Sequence, residues 1–239
     1  MIRKTLLTLL RSLCCLLLLM PLSLRAEEMR FDVVIAGVRA AQVGVNARDM
    51  GSTYALAARF QATGLVGALT DAAYSAQAEG RMARGAPRPA RAVLEDQSGD
   101  VRGRRVVRWS GGVGRLAEAT PPVPPEPWSV DRSPSGAVDP LTAFWSLLRT
   151  RPADGLCNAQ VTTFDGVRVG RLSLGAPQAD GDGFTCAGQF ERLAGYAPEE
   201  LAEQRLFPFR ARFGPGGAGF QVVEVRAPTQ LGPARLRRR

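Results

Sequence analysis

Residues 52–62 read STYALAARFQA, and their side chains alternate: Tyr54, Leu56, Ala58 and Phe60 are separated by smaller or polar neighbours. A helix would scatter these four around its circumference, whereas a strand puts every second residue on one face. The stretch predicts a half-buried strand. The same period of two recurs at 31–35, 40–47, 72–78, 91–95, 104–109, 160–164, 167–174, 184–193, 207–213 and 220–225. Turn residues separate the runs: Ala36-Gly37, Met50-Gly51, Asp165-Gly166 and the GPGGAG of 214–219. Short strands at this spacing predict an all-β fold, an antiparallel meander of about ten strands forming a barrel or a strongly curved sheet.

One segment breaks the period. DPLTAFWSLLR, residues 139–149, places Asp139 at an N-cap and Pro140 at the first helical position. Leu141, Phe144, Trp145 and Leu148 share one face, and Arg149 and Arg151 suit the C-terminal end. One short helix near 139–150 is expected to plug or flank the sheet, its aromatic residues serving as core. The preceding ATPPVPPEPWSVDRSPSG, residues 119–136, has no periodicity and reads as an extended loop.

The first residues have the layout of a secretory signal peptide: Arg3 and Lys4, an apolar run from Leu13 to Leu19, then Pro21 and a cleavage point after Ala26. The run is too short to span a bilayer comfortably. A signal anchor is the alternative, because Leu24 rather than a small residue lies three before the cut. The expected organisation is a signal peptide at 1–26, a single antiparallel β domain at 27–228 and a basic C-terminal tail at 229–239, the mature protein being periplasmic.

The chain has a formal charge of +9, and Arg3, Lys4, Arg11 and Arg25 would leave with the leader, without any acid. Arginine is scattered rather than gathered into a stripe with aromatics, which argues against nucleic acid. The exception is RLRRR, where Arg235, Arg237, Arg238 and Arg239 close the chain. These residues read as a frayed, solvated tail or as a peripheral contact with an anionic membrane.

Beyond the leader only Cys157 and Cys186 remain. In an oxidising compartment an isolated pair is most simply a structural disulfide, since a redox site prefers Cys-x-x-Cys spacing. Between them, Asp165-Gly166 fits a type I′ turn, and the apolar register shifts between Val169 and Leu172, which predicts a bulge near Gly170.

The sequence contains no histidine, which removes the usual base of a serine or cysteine nucleophile and the commonest metal ligand. It has no phosphate-cradling loop or dinucleotide fingerprint, and the glycines at 111–114 and 214–219 read as turns. DGDGFTCAGQFE places Asp180, Asp182 and Glu191 at calcium-loop positions one, three and twelve, but Thr185 stands where the sharp turn requires glycine and Phe184 takes a ligand position. No catalytic residue, metal site or cofactor is expected.

The ordered set FDVVIAGVRAAQVG (31–44), DPLTAFWSLLR (139–149), TFDGVRVGRLSL (163–174), FTCAGQFERLAGYAPEE (184–200) and FPFRARF (207–213) resembles the DUF3108 family of exported bacterial proteins. The resemblance implies an exported, mostly antiparallel β protein of the cell envelope, of unestablished role, and carries over no catalytic residue.

The leading expectation for function is non-enzymatic binding of an apolar ligand or envelope component within the curved sheet, because small residues there could leave room. One alternative is a structural or assembly factor contacting an envelope partner or an anionic membrane. The other is a carboxylate-based hydrolase of envelope sugars, which needs two acids converging in a cleft.

Overall fold

The computed structural model describes residues 25–70, 72–98 and 101–239, so the expected signal peptide, but for Arg25 and Ala26, lies outside the described residues. Thirteen strands follow in chain order: β1 (Arg25–Ile35), β2 (Val38–Asp49), β3 (Thr53–Ala62), β4 (Ala72–Ala83), β5 (Ala86–Ser98), β6 (Val101–Ser110), β7 (Val113–Thr120), β8 (Ala159–Phe164), β9 (Val169–Asp180), β10 (Gly183–Ala194), β11 (Leu206–Gly216), β12 (Gly219–Thr229) and β13 (Gly232–Arg238). All belong to one antiparallel sheet in the order β7-β6-β5-β4-β3-β2-β1-β13-β12-β11-β10-β9-β8. The chain starts in the middle of the sheet, winds to one edge, crosses over and winds back to pair with its own first strand. Arg25 and Ala26 already belong to β1, opposite Asp49 and Arg48, so a cut after Ala26 would leave that strand to begin at Glu27.

Two neighbouring rows of the sheet show which face is inside. Met29, Val45, Ala58, Ala76 and Leu94 lie side by side across five strands, and the next row is Arg30, Gly44, Arg59, Ser75 and Glu95. The apolar row faces the core and the polar row faces out, which is the alternation a half-buried strand requires. Tight turns keep the register; at the β1–β2 tip Ala36 and Gly37 both adopt left-handed φ (48° and 88°), the combination a type I′ hairpin needs.

The edges β7 and β8 are joined by the segment between them, which makes the sheet a nearly closed barrel. Ser133 and Gly136 donate backbone N–H groups to the carbonyls of Gly114 and Gly112 on the β7 side. Val138 donates to Thr162 O and accepts from Phe164 N on β8. Trp109 Nε1 donates to Ala137 O at 2.9 Å, and Arg105 reaches across to Asp165 at 3.2 Å. Val107, Ala137, Phe164 and Val169 fill the seam with apolar contact.

Inside the barrel lies the predicted helix, Pro140–Leu148. Asp139 caps it, its Oδ1 accepting from Thr142 N at 2.8 Å, and Arg151 Nη2 donates to Ser146 O at 2.5 Å near the other end. Leu141, Thr142, Ala143, Trp145, Leu147 and Leu148 are all buried, so apolar residues wrap the helix rather than line one face, as befits a helix enclosed by a sheet. Trp145 stacks on Tyr54 with ring centroids 5.5 Å apart, and Arg151 exchanges backbone hydrogen bonds with Phe220 beside the β11–β12 tip. The helix thus fills the end of the barrel that carries the β2–β3, β4–β5, β6–β7, β9–β10 and β11–β12 turns.

Four expectations need correction. Residues 232–239 are not a frayed tail: β13 pairs with β1 on one side and β12 on the other. Ala234, Leu236 and Arg238 are half-buried while Arg235, Arg237 and Arg239 are exposed, so the arginine run hides a period of two. The segment expected as turn at 111–114 and loop from 119 is in part the strand β7, in which Gly114 is an inward position beside Leu116; Trp109 and Phe164 lie so close that a Cβ on Gly114 would come within 2.8 Å and 3.1 Å of them.

The Asp165-Gly166 turn is a four-residue loop between Phe164 and Val169 rather than a type I′ turn; the Asp165 carboxylate accepts from Val167 N and Arg168 N and so stabilises the longer form. The bulge expected near Gly170 lies on the facing strand, between Arg192 and Ala194 of β10. Gly170 itself is needed because the Phe190 ring sits where its Cβ would be, 2.5 Å away.

The cysteines pair as expected. Cys157 and Cys186 are joined with their Cα atoms 6.1 Å apart, and both are buried in the main core. The bond ties the entry of the edge strand β8 to β10 across β9. For a sequence separation of 29, the chain-entropy relation gives about 3–4 kcal/mol of stabilisation. A double Cys→Ser variant is expected to lose that much in urea unfolding; a loss below about 1 kcal/mol would show that the covalent tie contributes little.

Candidate functional site

The helix fills one end of the barrel and leaves the other open. Between the helix and strands β2 to β6 lies a cavity of about 700 Å³. Its floor is Leu141 and Phe144 of the helix with Val45, and its wall carries Ala58, Ala76 and Leu94 from three successive strands. Ala58 and Ala76 stand side by side in the register, and Gly103 faces Asp96 on the next pair of strands. These small inward residues create the space: a cavity arises where neighbouring strands all lack bulk at the same height.

The mouth is ringed by a few polar groups. Phe60 and Tyr74 pack edge to face with centroids 5.6 Å apart, and Ser98 Oγ lies 3.2 Å from Tyr74 Oη and 2.9 Å from Asp96 Oδ1. Arg105 continues the inward row of Ala76 and Leu94, where its ion pair with Asp165 neutralises it. The proline-rich segment forms the remaining wall, with Pro121, Pro122, Val123 and Pro124 beside Val167. Proline fixes φ and offers no N–H, so this wall presents apolar surface without backbone donors. An apolar interior with few polar groups at the rim is the usual composition of a small-molecule site, and the volume lies within the usual range of about 300–1,000 Å³.

Below the cavity floor, Asp139 is fully buried and its Oδ2 has no hydrogen-bond partner among the described residues. Burial pushes its pKa up to about 6, opposed by the hydrogen bonds from Thr142. The nearby Tyr54 hydroxyl, 3.1 Å from Thr142 Oγ1, is pushed further above its ordinary value, also by burial. A carboxyl whose folded-state pKa is raised stabilises most when protonated. Its contribution is full below about pH 4 and is lost as pH rises towards 6, amounting to about 3 kcal/mol between the two limits. Asp139→Asn keeps the cap and removes this titration. The stability difference between wild type and variant is therefore expected to move in the variant's favour from pH 4 to pH 6.5 and then level off. A pH-independent difference would contradict the assignment.

The acids singled out in the sequence are not assembled into a site. Asp180 accepts from Thr185 and Arg212, and Asp182 pairs with Arg212 at the β9–β10 tip. Glu191 lies towards the other end of β10, between Arg171 and Arg205. Among the described residues no group of His, Cys, Asp or Glu could hold a metal ion. The two acids lining the cavity, Glu95 and Asp96, are consecutive in β5 and point to opposite faces, so they do not converge across a cleft. Three arginines of the closing run are also engaged: Arg237 with Glu224, Arg238 with Glu27 and Arg239 with Asp32. The Arg239 guanidinium, hydrogen-bonded to Asp32, holds that carboxyl below its ordinary range. Small residues within the sheet were the sequence signal for such a space; which of them line it depends on the strand register.

Fold and cavity together define a class: a nearly closed antiparallel barrel with an internal helix at one end and an apolar cup at the other. No family model matches the chain, and the DUF3108 resemblance therefore stands on its motifs alone. No curated protein matches either. Among solved structures the chain is similar to a β-barrel-like protein of a domain of unknown function, DUF1849, from Brucella abortus. The TM-score is 0.49 with 12% identity over 90% of this chain and 95% of that one.

Proposed function

We propose that this protein is a non-enzymatic carrier or receptor that holds an apolar ligand in the open half of its barrel, in an oxidising compartment outside the cytoplasm. The observation that supports this reading best is the cavity of about 700 Å³, whose wall is mostly apolar and includes Ala58, Ala76, Leu94 and Phe144. The buried disulfide is compatible with an oxidising compartment. The outward row Arg30, Gly44, Arg59, Ser75 and Glu95 is polar, whereas a barrel embedded in lipid carries an apolar band on its outside. Among the described residues no helix is long and apolar enough to cross a membrane.

Titration with a naturally fluorescent long-chain fatty acid tests the proposal. Saturable binding of one molecule per chain, displaced by non-fluorescent fatty acid, is the expected result. A linear, non-saturating signal would contradict it.

A further inference from the structure

The antiparallel meander sorts every strand tip to one of two ends. The open end carries the β1–β2, β5–β6, β8–β9 and β12–β13 turns, the β3–β4 and β10–β11 connections and the exit of β7. Large hydrophobics that stand exposed among the described residues are Val38, Tyr74, Val123, Trp128, Leu206 and Leu231. All but Trp128 belong to that end. Leu231 (76% exposed) sits at the β12–β13 tip and Val38 (58% exposed) at the β1–β2 tip, and the Ala36 N–H hydrogen bond to Pro233 O holds these tips together. The β3–β4 connection at the same end is the short helix Gly64–Thr70, GLVGALT, without a charged residue. At the opposite end the tips are Met50-Gly51-Ser52, Arg84-Gly85, Gly111-Gly112, Gly181-Asp182 and Gly217-Ala218, whose one large hydrophobic, Met50, is half-buried, so no large hydrophobic stands exposed on them.

We propose that the open end docks on the surface of a phospholipid bilayer, and that the ligand is a single-chain amphiphile taken from or delivered to that surface; this rests on the apolar-ligand reading of the cavity. The argument is the shape and place of the apolar groups. They stand on separate elements at the open end, and two of them, Tyr74 and Val123, line the cavity. A folded protein partner would be recognised by a contiguous face, whereas isolated apolar tips suit a deformable apolar phase into which each can sink. Contact at this end lets a chain pass from bilayer to cavity without crossing water, and the headgroup would remain near Tyr74, Asp96 and the Arg105–Asp165 pair. The attraction is apolar, unlike the arginine-tail contact considered from sequence, because Arg237, Arg238 and Arg239 are already paired within the sheet.

The test uses the exported form of the protein, with wild type and variants shown by mass to share one N-terminus and by thermal unfolding to be equally folded. Flotation is measured with phosphatidylcholine vesicles with and without phosphatidylglycerol, and fluorescent fatty-acid binding is measured in parallel without vesicles. Wild type is expected to float with both. A V38D/L231D double variant is expected to float at least roughly tenfold less while binding the fatty acid as wild type does. Ala76→Trp is expected to do the reverse. The docking proposal is overturned if wild type does not float, if the double variant floats equally well, or if flotation needs phosphatidylglycerol and disappears with salt. If wild type floats through Val38 and Leu231 yet binds no fatty acid, the cavity reading fails and the docking surface stands.

Discussion

Ending the chain at Leu231 should abolish the fold rather than trim a tail. The removed β13 joins the two halves of the sheet: it pairs with β1, where Val33 faces Leu236, and with β12, where Val225 faces the same leucine. Leu236 packs against the main core, and Arg238, with a side chain 13% exposed, lies beside Glu27 and over the ring of Phe31. Deletion would leave two unpaired edges in the middle of the barrel and expose the core between them. Each lost backbone hydrogen bond costs about 1 kcal/mol, and a group left buried and unpaired costs more. Along both sides of a seven-residue strand the loss rivals the whole stability of a typical domain, about 5–15 kcal/mol. The measurement is soluble yield and cooperative thermal unfolding. The truncated chain should show neither, whereas Arg235→Ser with Arg237→Ser, which changes only exposed side chains of the same strand, should show both. A truncated chain that unfolds cooperatively near the wild-type temperature would contradict the role given to β13.

Ala76→Trp should remove ligand binding and leave the fold intact. Ala76 lies in the cavity wall beside Ala58, so an indole there has empty space to enter and need not overpack the core. Displacing even four methylenes of a bound chain costs about 3 kcal/mol, at about 0.8 kcal/mol each, or at least about 100-fold in affinity. Ala58→Phe fills the same space from the neighbouring strand and should act alike. The readout is the fatty-acid titration together with thermal unfolding. Unchanged binding in both variants would place the ligand elsewhere; loss of binding with a collapsed melting temperature in both would show that the space is not free.

Much of the fold could be read from the chain because its period of two is strong wherever large and small residues alternate, as in Tyr54, Leu56, Ala58 and Phe60. The helix was legible from Asp139, Pro140 and its apolar spacing, and the disulfide from an isolated cysteine pair. The pattern failed where the inward residue was not apolar by type. In β7 one such residue is Gly114, which leaves Leu116 as an isolated signal, and in β13 it is Arg238, which pairs with Glu27. That small residues could leave room in the sheet was legible, but where the cavity lies was not, for a related reason. Ala58, Ala76, Leu94 and Phe144 come from four separate segments, and only the strand register and the depth to which the helix descends leave their common space unfilled. The same holds for the apolar tips, since Val38 and Leu231 are 193 positions apart in the sequence and become neighbours only when β13 pairs with β1.

The measurement that tests the central claim most directly is native mass spectrometry of the protein recovered from its exported fraction without reducing agent, beside the Ala76→Trp variant. Wild type is expected to carry an adduct of the mass of a single-chain amphiphile that leaves on gentle activation, on a chain two hydrogens lighter than its reduced form, while Ala76→Trp flies bare with the same disulfide. A bare wild-type protein, or the same adduct retained by Ala76→Trp, would contradict a ligand held in the open half of the barrel.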